Sequence, residues 1–177
     1  MNKPKFNVKS IIALTAICLI VTALLAVTNH FTSPVIAETR EKKVEDSLRA
    51  VIPDMYSMRE VKPLPDGTPA SVKKVYVING EIYAVVLATT SAYSSGDMGI
   101  TVGLSGEGEI LGIKLTSYFE SKDFGRETYP QQYVGLDAAG AEAVDVFAGV
   151  TYSSKAFKAA LQDAFTVVKL LEGGEAN

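Results

Sequence analysis

The sequence contains one cysteine and one histidine, Cys18 and His30. A lone thiol closes no intrachain disulfide and cannot by itself hold an iron–sulfur cluster. A lone imidazole, with no second His or Cys, builds neither a transition-metal site nor a Ser–His or Cys–His nucleophile pair. Positive charge is also thin. Lys3, Lys5 and Lys9 are the only charged side chains before Glu38, so the remainder sets 14 lysines and arginines against all 20 acids. A partner rich in phosphate needs clustered Lys and Arg, which excludes nucleic acid as an expected partner. The chemistry left is that of oxygen groups, backbone N–H groups or a bound cofactor.

The first segment has an uncharged run instead. From Ser10 to Thr28, and on through Phe31, the chain is apolar for long enough to span about 30 Å of bilayer core at about 1.5 Å per residue. A cleaved signal peptide would have a shorter apolar core and a small-residue cleavage site, so an uncleaved anchor is expected. Three lysines before the run, against Asn29, His30, Phe31 and Thr32 after it, put the N-terminus in the cytoplasm and the folded part outside. That corresponds to a single-pass protein of the cell membrane. The expected division is an anchor over 1–31, an amphipathic helix and Pro-rich connector over 32–70, and one folded domain over 71–177. A chain of 177 residues with 47% hydrophobic side chains can build one core of ordinary size and hardly two.

The folded part opens with "KKVYVINGEIYAVVLAT", two β-rich runs joined by Asn79-Gly80, a pair suited to a turn whose central positions both need positive φ. "GITVGLSGEGEILGIKLTS" repeats the arrangement around Ser105–Gly108. Two hairpins predict an antiparallel sheet of four or more strands. Short helical turns are expected around Pro130–Val134. Phe157, Leu161, Ala164, Phe165, Val168 and Leu171 fall at helical spacing, which predicts a packing helix from about Ser153 to Leu171, ended by Gly173-Gly174. The expected class is α+β: a transmembrane helix, then one domain with an antiparallel sheet and a C-terminal packing helix.

"DVFAGVTYSSKAF", Asp145–Phe157, sets Gly149 and the hydroxyls of Thr151, Tyr152, Ser153 and Ser154 at the start of that helix. A helix N-terminus leaves backbone N–H groups without intrahelical partners and carries roughly half a positive charge, so it favours an anion such as phosphate. Hydroxyls there also serve as ordinary caps. On the residues alone both readings stand.

This stretch resembles the flavin-attachment motif of the FMN-binding domain family, Asp-x-x-Ser-Gly-Ala-Thr-x-Thr/Ser-Ser followed by a basic residue. Asp145, Gly149, Thr151, Ser153, Ser154 and Lys155 match it, while Ala148 and Val150 replace its Ser and Ala. "IKLTSYFESKDFG" is similar to the strand and His-x-Glu-Thr-Pro-Gly-Leu-Gly loop of the G subunit of Rnf electron-transport complexes and the C subunit of the sodium-translocating NADH:quinone reductase. Glu120, Ser121 and Gly125 are in register; Tyr118, Lys122, Asp123 and Phe124 depart. "FTSPVIAETREKKVEDSLRAVIP" resembles the start of the Rnf subunit. The resemblance implies FMN attached covalently through its phosphate to Thr151 by a flavin transferase, with Gly149, Val150, Ser153, Ser154 and Lys155 around the phosphate and Tyr93, Glu120 and Ser121 near the ring. It implies no metal and no catalysis by this chain alone. The chain would be an electron-relay subunit working beside other subunits of an ion-translocating ferredoxin:NAD⁺ oxidoreductase. Two other readings remain: a module holding flavin without a covalent bond, and a structural subunit without flavin.

Overall fold

A computed structural model of the chain describes residues 8–90, 96–119 and 125–174. It divides into two compact units, Met1–Lys42 and Lys43–Asn177.

The first helix, α1 (Val8–Val51), is a single run of 44 residues that passes from the first unit into the second. The anchor and the amphipathic helix expected from sequence are therefore continuous. Pro34 does not end it, although a proline has no N–H for the carbonyl four residues before. In the first unit the stretch Ile11–Ser33 is long and apolar enough to cross a membrane, and none of it is buried. Leu14, Leu19, Leu24 and Phe31 are each more than 60% exposed, which suits a lipid surround and not a water-facing helix. Thr15, Thr22 and Thr28 return their hydroxyls to carbonyls four residues back, so their polar groups are satisfied within the helix.

In the second unit, five strands form an antiparallel meander in the order β1 (Met58–Glu60), β2 (Val72–Ile78), β3 (Ile82–Thr89), β4 (Met98–Leu104), β5 (Ile110–Ser117). The expected turn between β2 and β3 is present: Asn79 has φ 55° and Gly80 φ 90°, and the Glu81 N–H donates to the Ile78 carbonyl. The β4–β5 turn closes with Ser105 N–H donating to the Glu109 carbonyl at 2.8 Å. β1 lies within the Pro-rich stretch expected to be a connector; it pairs with Tyr76–Ile78 and is only three residues long.

β4 shows how the sheet is covered on both faces. Every residue in it is buried. Met98, Ile100, Val102 and Leu104 project to one face, into a core shared with the last helix, α3 (Thr151–Gly174), through Phe157, Leu161, Ala164, Phe165 and Val168. The alternate positions Gly99, Thr101 and Gly103 are small, and on that face the end of α1 seats Leu48, Val51 and Ile52 against Tyr76, Ile78 and Ala84. Gly103 faces Gly112 across the β4–β5 ladder, and a side chain on either would collide with Val51. The Ser47 and Thr101 hydroxyls, both buried, share a 2.9 Å hydrogen bond beneath this contact.

After β5 come a 3₁₀ turn at Pro130–Tyr133, where short helical turns were expected, and a six-residue helix, α2 (Ala138–Ala143), which was not foreseen. Asp137 caps α2 by accepting the Gly140 N–H at 2.7 Å. α3 starts two residues earlier than its apolar stripe suggested and runs on through Gly173 and Gly174. The class is α+β, with one apolar N-terminal helix, a five-stranded antiparallel sheet and a C-terminal helix.

Candidate functional site

Residues 145–151 form the approach to α3. The Val150 N–H donates to the Phe147 carbonyl at 3.3 Å, making a turn with Ala148 and Gly149 at its centre. Gly149 has φ 84°, which is what the third position of a type II turn requires, and nothing crowds it; glycine is needed for the conformation and not for space. Ala148 occupies the second position, which accepts most residues.

α3 then begins on the Val150 carbonyl, which accepts the Ser154 N–H at 3.1 Å. Val150 has no polar atom with which to cap, and its side chain packs against the core. Ser154 does not act as the hydroxyl cap the sequence suggested. Ser153 and Ser154 are both buried, and Ser154 turns inward to donate to the Val150 carbonyl at 2.9 Å. Thr151, half-buried in the first turn, is the more accessible hydroxyl of the three, and the exposed Lys155 stands one turn further on the same face.

The approach loop is fixed from below by aromatic side chains. Tyr129 and Tyr133 are buried, with their hydroxyls 2.7 Å apart, and Tyr129 donates to the Asp145 carbonyl at 3.0 Å. A phenol has one proton, so in this chain Tyr133 donates to Tyr129 and Tyr129 to the loop. Phe147 packs edge-on against Tyr129 with ring centroids 5.8 Å apart, and both tyrosines meet Phe157 of α3. Burial pushes both phenols above the usual tyrosine range; for Tyr133 the hydrogen bond to Tyr129 adds to the rise. From the other side, the Lys158 ammonium donates to the Glu142 and Val144 carbonyls at 2.8 Å each, a cation at the end of α2 that ties the start of the loop to α3.

Tyr93, Glu120 and Ser121 lie outside the described residues. The chain on either side of them can be followed. Gly96 sits against the Phe119 ring, the Arg126 guanidinium lies over the Tyr118 ring at 5.1 Å, and a β-carbon on Gly125 would come within 3.8 Å of Phe147. The strand ends that bracket both loops therefore meet each other, and Gly125 meets the approach to α3. Alongside runs a cleft of about 670 Å³ between the β5 edge, from Ile113 to Tyr118, and the segment Gly125–Gln131. Sequence reasoning singled out Gly125 and missed Arg126, Tyr129 and Lys158. An Arg directly after the loop glycine and a Tyr-x-x-x-Tyr pair were the available signals.

Among the described residues no three His, Cys, Asp or Glu side chains gather to hold a metal. The arrangement suits an anionic group: a helix N-terminus, an accessible hydroxyl in its first turn, a glycine at positive φ before it and a basic residue beside it. Comparison with protein families gives two matches. Residues 94–166 match the FMN-binding domain, and residues 1–51 match the RnfG N-terminal region. Comparison with curated proteins returns no match.

Proposed function

Because the chain belongs to the RnfG-type FMN-binding subunits, whose place is in an Rnf complex with other subunits, we propose that it carries FMN covalently on Thr151 and relays electrons within that complex. The observation that carries this reading is the contrast among the three aliphatic hydroxyls: Ser153 and Ser154 are buried and Thr151 is not, while the exposed fourth hydroxyl, Tyr152, is a phenol outside the motif's threonine position. A flavin transferase supplied with FAD would form the ester between Thr151 Oγ and the FMN phosphorus. The phosphoanhydride bond to AMP breaks, AMP leaves, and the threonine proton is lost.

The residues present fit such a group. The first-turn N–H groups of α3 direct partial positive charge at the remaining phosphate oxygens, Lys155 adds a full one, and Gly149 places the backbone so that Thr151 opens the helix. Val150, where the motif usually has Ala, is accommodated by packing against the core, and Ala148, where it usually has Ser, holds a permissive turn position. Bound flavin supplies the redox chemistry; the protein supplies position and electrostatics. Tyr93, Glu120 and Ser121 complete the proposal as polar contacts near the ring. The apolar helix anchors the subunit with its N-terminus cytoplasmic and the flavin domain outside, and the complex couples electron flow from ferredoxin to NAD⁺ to ion transport.

The test is co-expression with a flavin transferase. The wild-type protein should show flavin fluorescence on a denaturing gel and an intact mass raised by one FMN unit; Thr151→Ala should lose both. A fluorescent band in Thr151→Ala would overturn the assignment of the attachment residue, and reversible flavin without a mass change would replace covalent attachment with a binding module.

A further inference from the structure

The cleft beside β5 is large enough for a ring system, within the range of small-molecule sites. It is also tied to the proposed attachment loop. Gly125 at its end approaches Phe147, and Tyr129, within the segment that walls it, donates to the Asp145 carbonyl. A second cavity, of about 230 Å³, is lined by Phe165, Val168, Lys169 and Glu172. Those residues lie at least ~21 Å along α3 from Thr151, beyond the reach of a five-carbon linker. Among the described residues, two cations line the first cleft, Lys114 and Arg126, and one acid, Glu127. Arg126 is positioned by its stacking over Tyr118, so its charge is placed and not merely nearby.

Resting on the reading that flavin is linked at Thr151, we propose that this cleft receives the flavin ring and that Arg126 sets its reduction potential. Reduction of the ring takes up two electrons and one proton and leaves one negative charge on it. In the assay a chemical reductant supplies the electrons and solvent the proton. A fixed guanidinium stabilises that charged product relative to the neutral oxidised ring, which raises the potential. Arginine cannot lose its own charge in the working pH range, so the effect holds wherever the reduced ring stays anionic.

The experiment uses the full chain in detergent after co-expression with a flavin transferase, comparing wild type, Arg126→Gln and Arg126→Lys. Gel fluorescence reports attachment and spectroelectrochemical titration reports the potential. The expected result is full attachment in all three. Arg126→Gln should lose about tenfold of its preference for the reduced form, a fall of about 30 mV for a two-electron couple, and Arg126→Lys should recover most of it. Full attachment with an unchanged potential in Arg126→Gln overturns the proposal and leaves Thr151 untouched. A Lys variant that behaves like Gln overturns the electrostatic account as well. Should wild type carry no covalent flavin, the attachment reading fails separately; free FMN is then titrated into the same protein. Binding weakened tenfold by Arg126→Gln upholds the cleft as the flavin site, and binding indifferent to it, or none, overturns it.

Discussion

Replacing Gly103 with alanine should unseat the end of α1. A β-carbon at that position would lie 2.7 Å from Val51 Cγ1 and 3.1 Å from Ile52 Cγ1. Carbon atoms reach their best separation at about 3.5–4.0 Å, so either Val51 leaves its rotamer or the last turn of α1 lifts from the sheet. Neither is easy, since Val51 and Ile52 are each 5% exposed and Gly112 brings the Val51 carbonyl close from the neighbouring strand. Overpacking of this kind costs about 1–3 kcal/mol. Alanine restricts the unfolded chain and returns about 0.5–1 kcal/mol. The net loss is about 1 kcal/mol at mid-range and at most about 2.5, or roughly 3–8 °C in melting temperature for a unit of this size. Near-UV circular dichroism of the full-length protein in detergent would follow the melt. The informative partner is Val51→Ala, which costs about 1–2 kcal/mol of burial alone but removes the atoms in the way. The double variant should therefore be at least about 1 kcal/mol more stable than the two single losses predict. Single losses that add within about 0.5 kcal/mol, or a Gly103→Ala protein that melts no lower than wild type, would refute the steric argument.

Three further outcomes follow from the loop supports. Tyr129→Phe removes a hydroxyl that both receives from Tyr133 and donates to Asp145, and should cost about 1–3 kcal/mol in chemical denaturation, more than Tyr133→Phe, which removes only the first donor. Because burial raises both phenols, the folded state keeps protons that the unfolded state releases near pH 10; stability should be level below that pH and fall as pH rises above it. Melting curves against pH should show a shallower alkaline fall in Tyr133→Phe, and an unchanged slope would count against the assignment. Lys158→Met keeps the apolar stem but removes the donor to the Glu142 and Val144 carbonyls, and should cost about 1–2 kcal/mol and raise amide exchange between residues 142 and 150.

The sequence made some of this legible and not the rest. Asn79-Gly80 and Ser105–Gly108 marked their turns because backbone angles alone decide such residues. α3 was legible from its stripe because one face meets one core. Its start was misplaced because the hydroxyl run suggested a side-chain cap, whereas the helix opens on the carbonyl of Val150. β1 has no pattern of its own; three residues are strand only because Tyr76–Ile78 lie alongside. The role of Gly103 and Gly112 is not legible from the strand pattern, because it is α1 that needs their missing side chains. The roles of Arg126, Tyr129 and Lys158 were hard to read for a related reason: each acts across the chain, on Tyr118, on Asp145 and on the end of α2.

The meander also governs the order in which this molecule can be made. Each strand pairs only with its neighbours in sequence, so β1 to β5 can zip together through short closures as soon as they emerge. The apolar face of Met98, Ile100, Val102 and Leu104 then waits for a helix that is synthesised after all five strands. Until Phe157 and Leu161 arrive there is no first turn of α3, and so no oriented threonine for a modifying enzyme to read. On the proposed attachment, the threonine is oriented at the start of α3 only once that last helix has packed on the sheet.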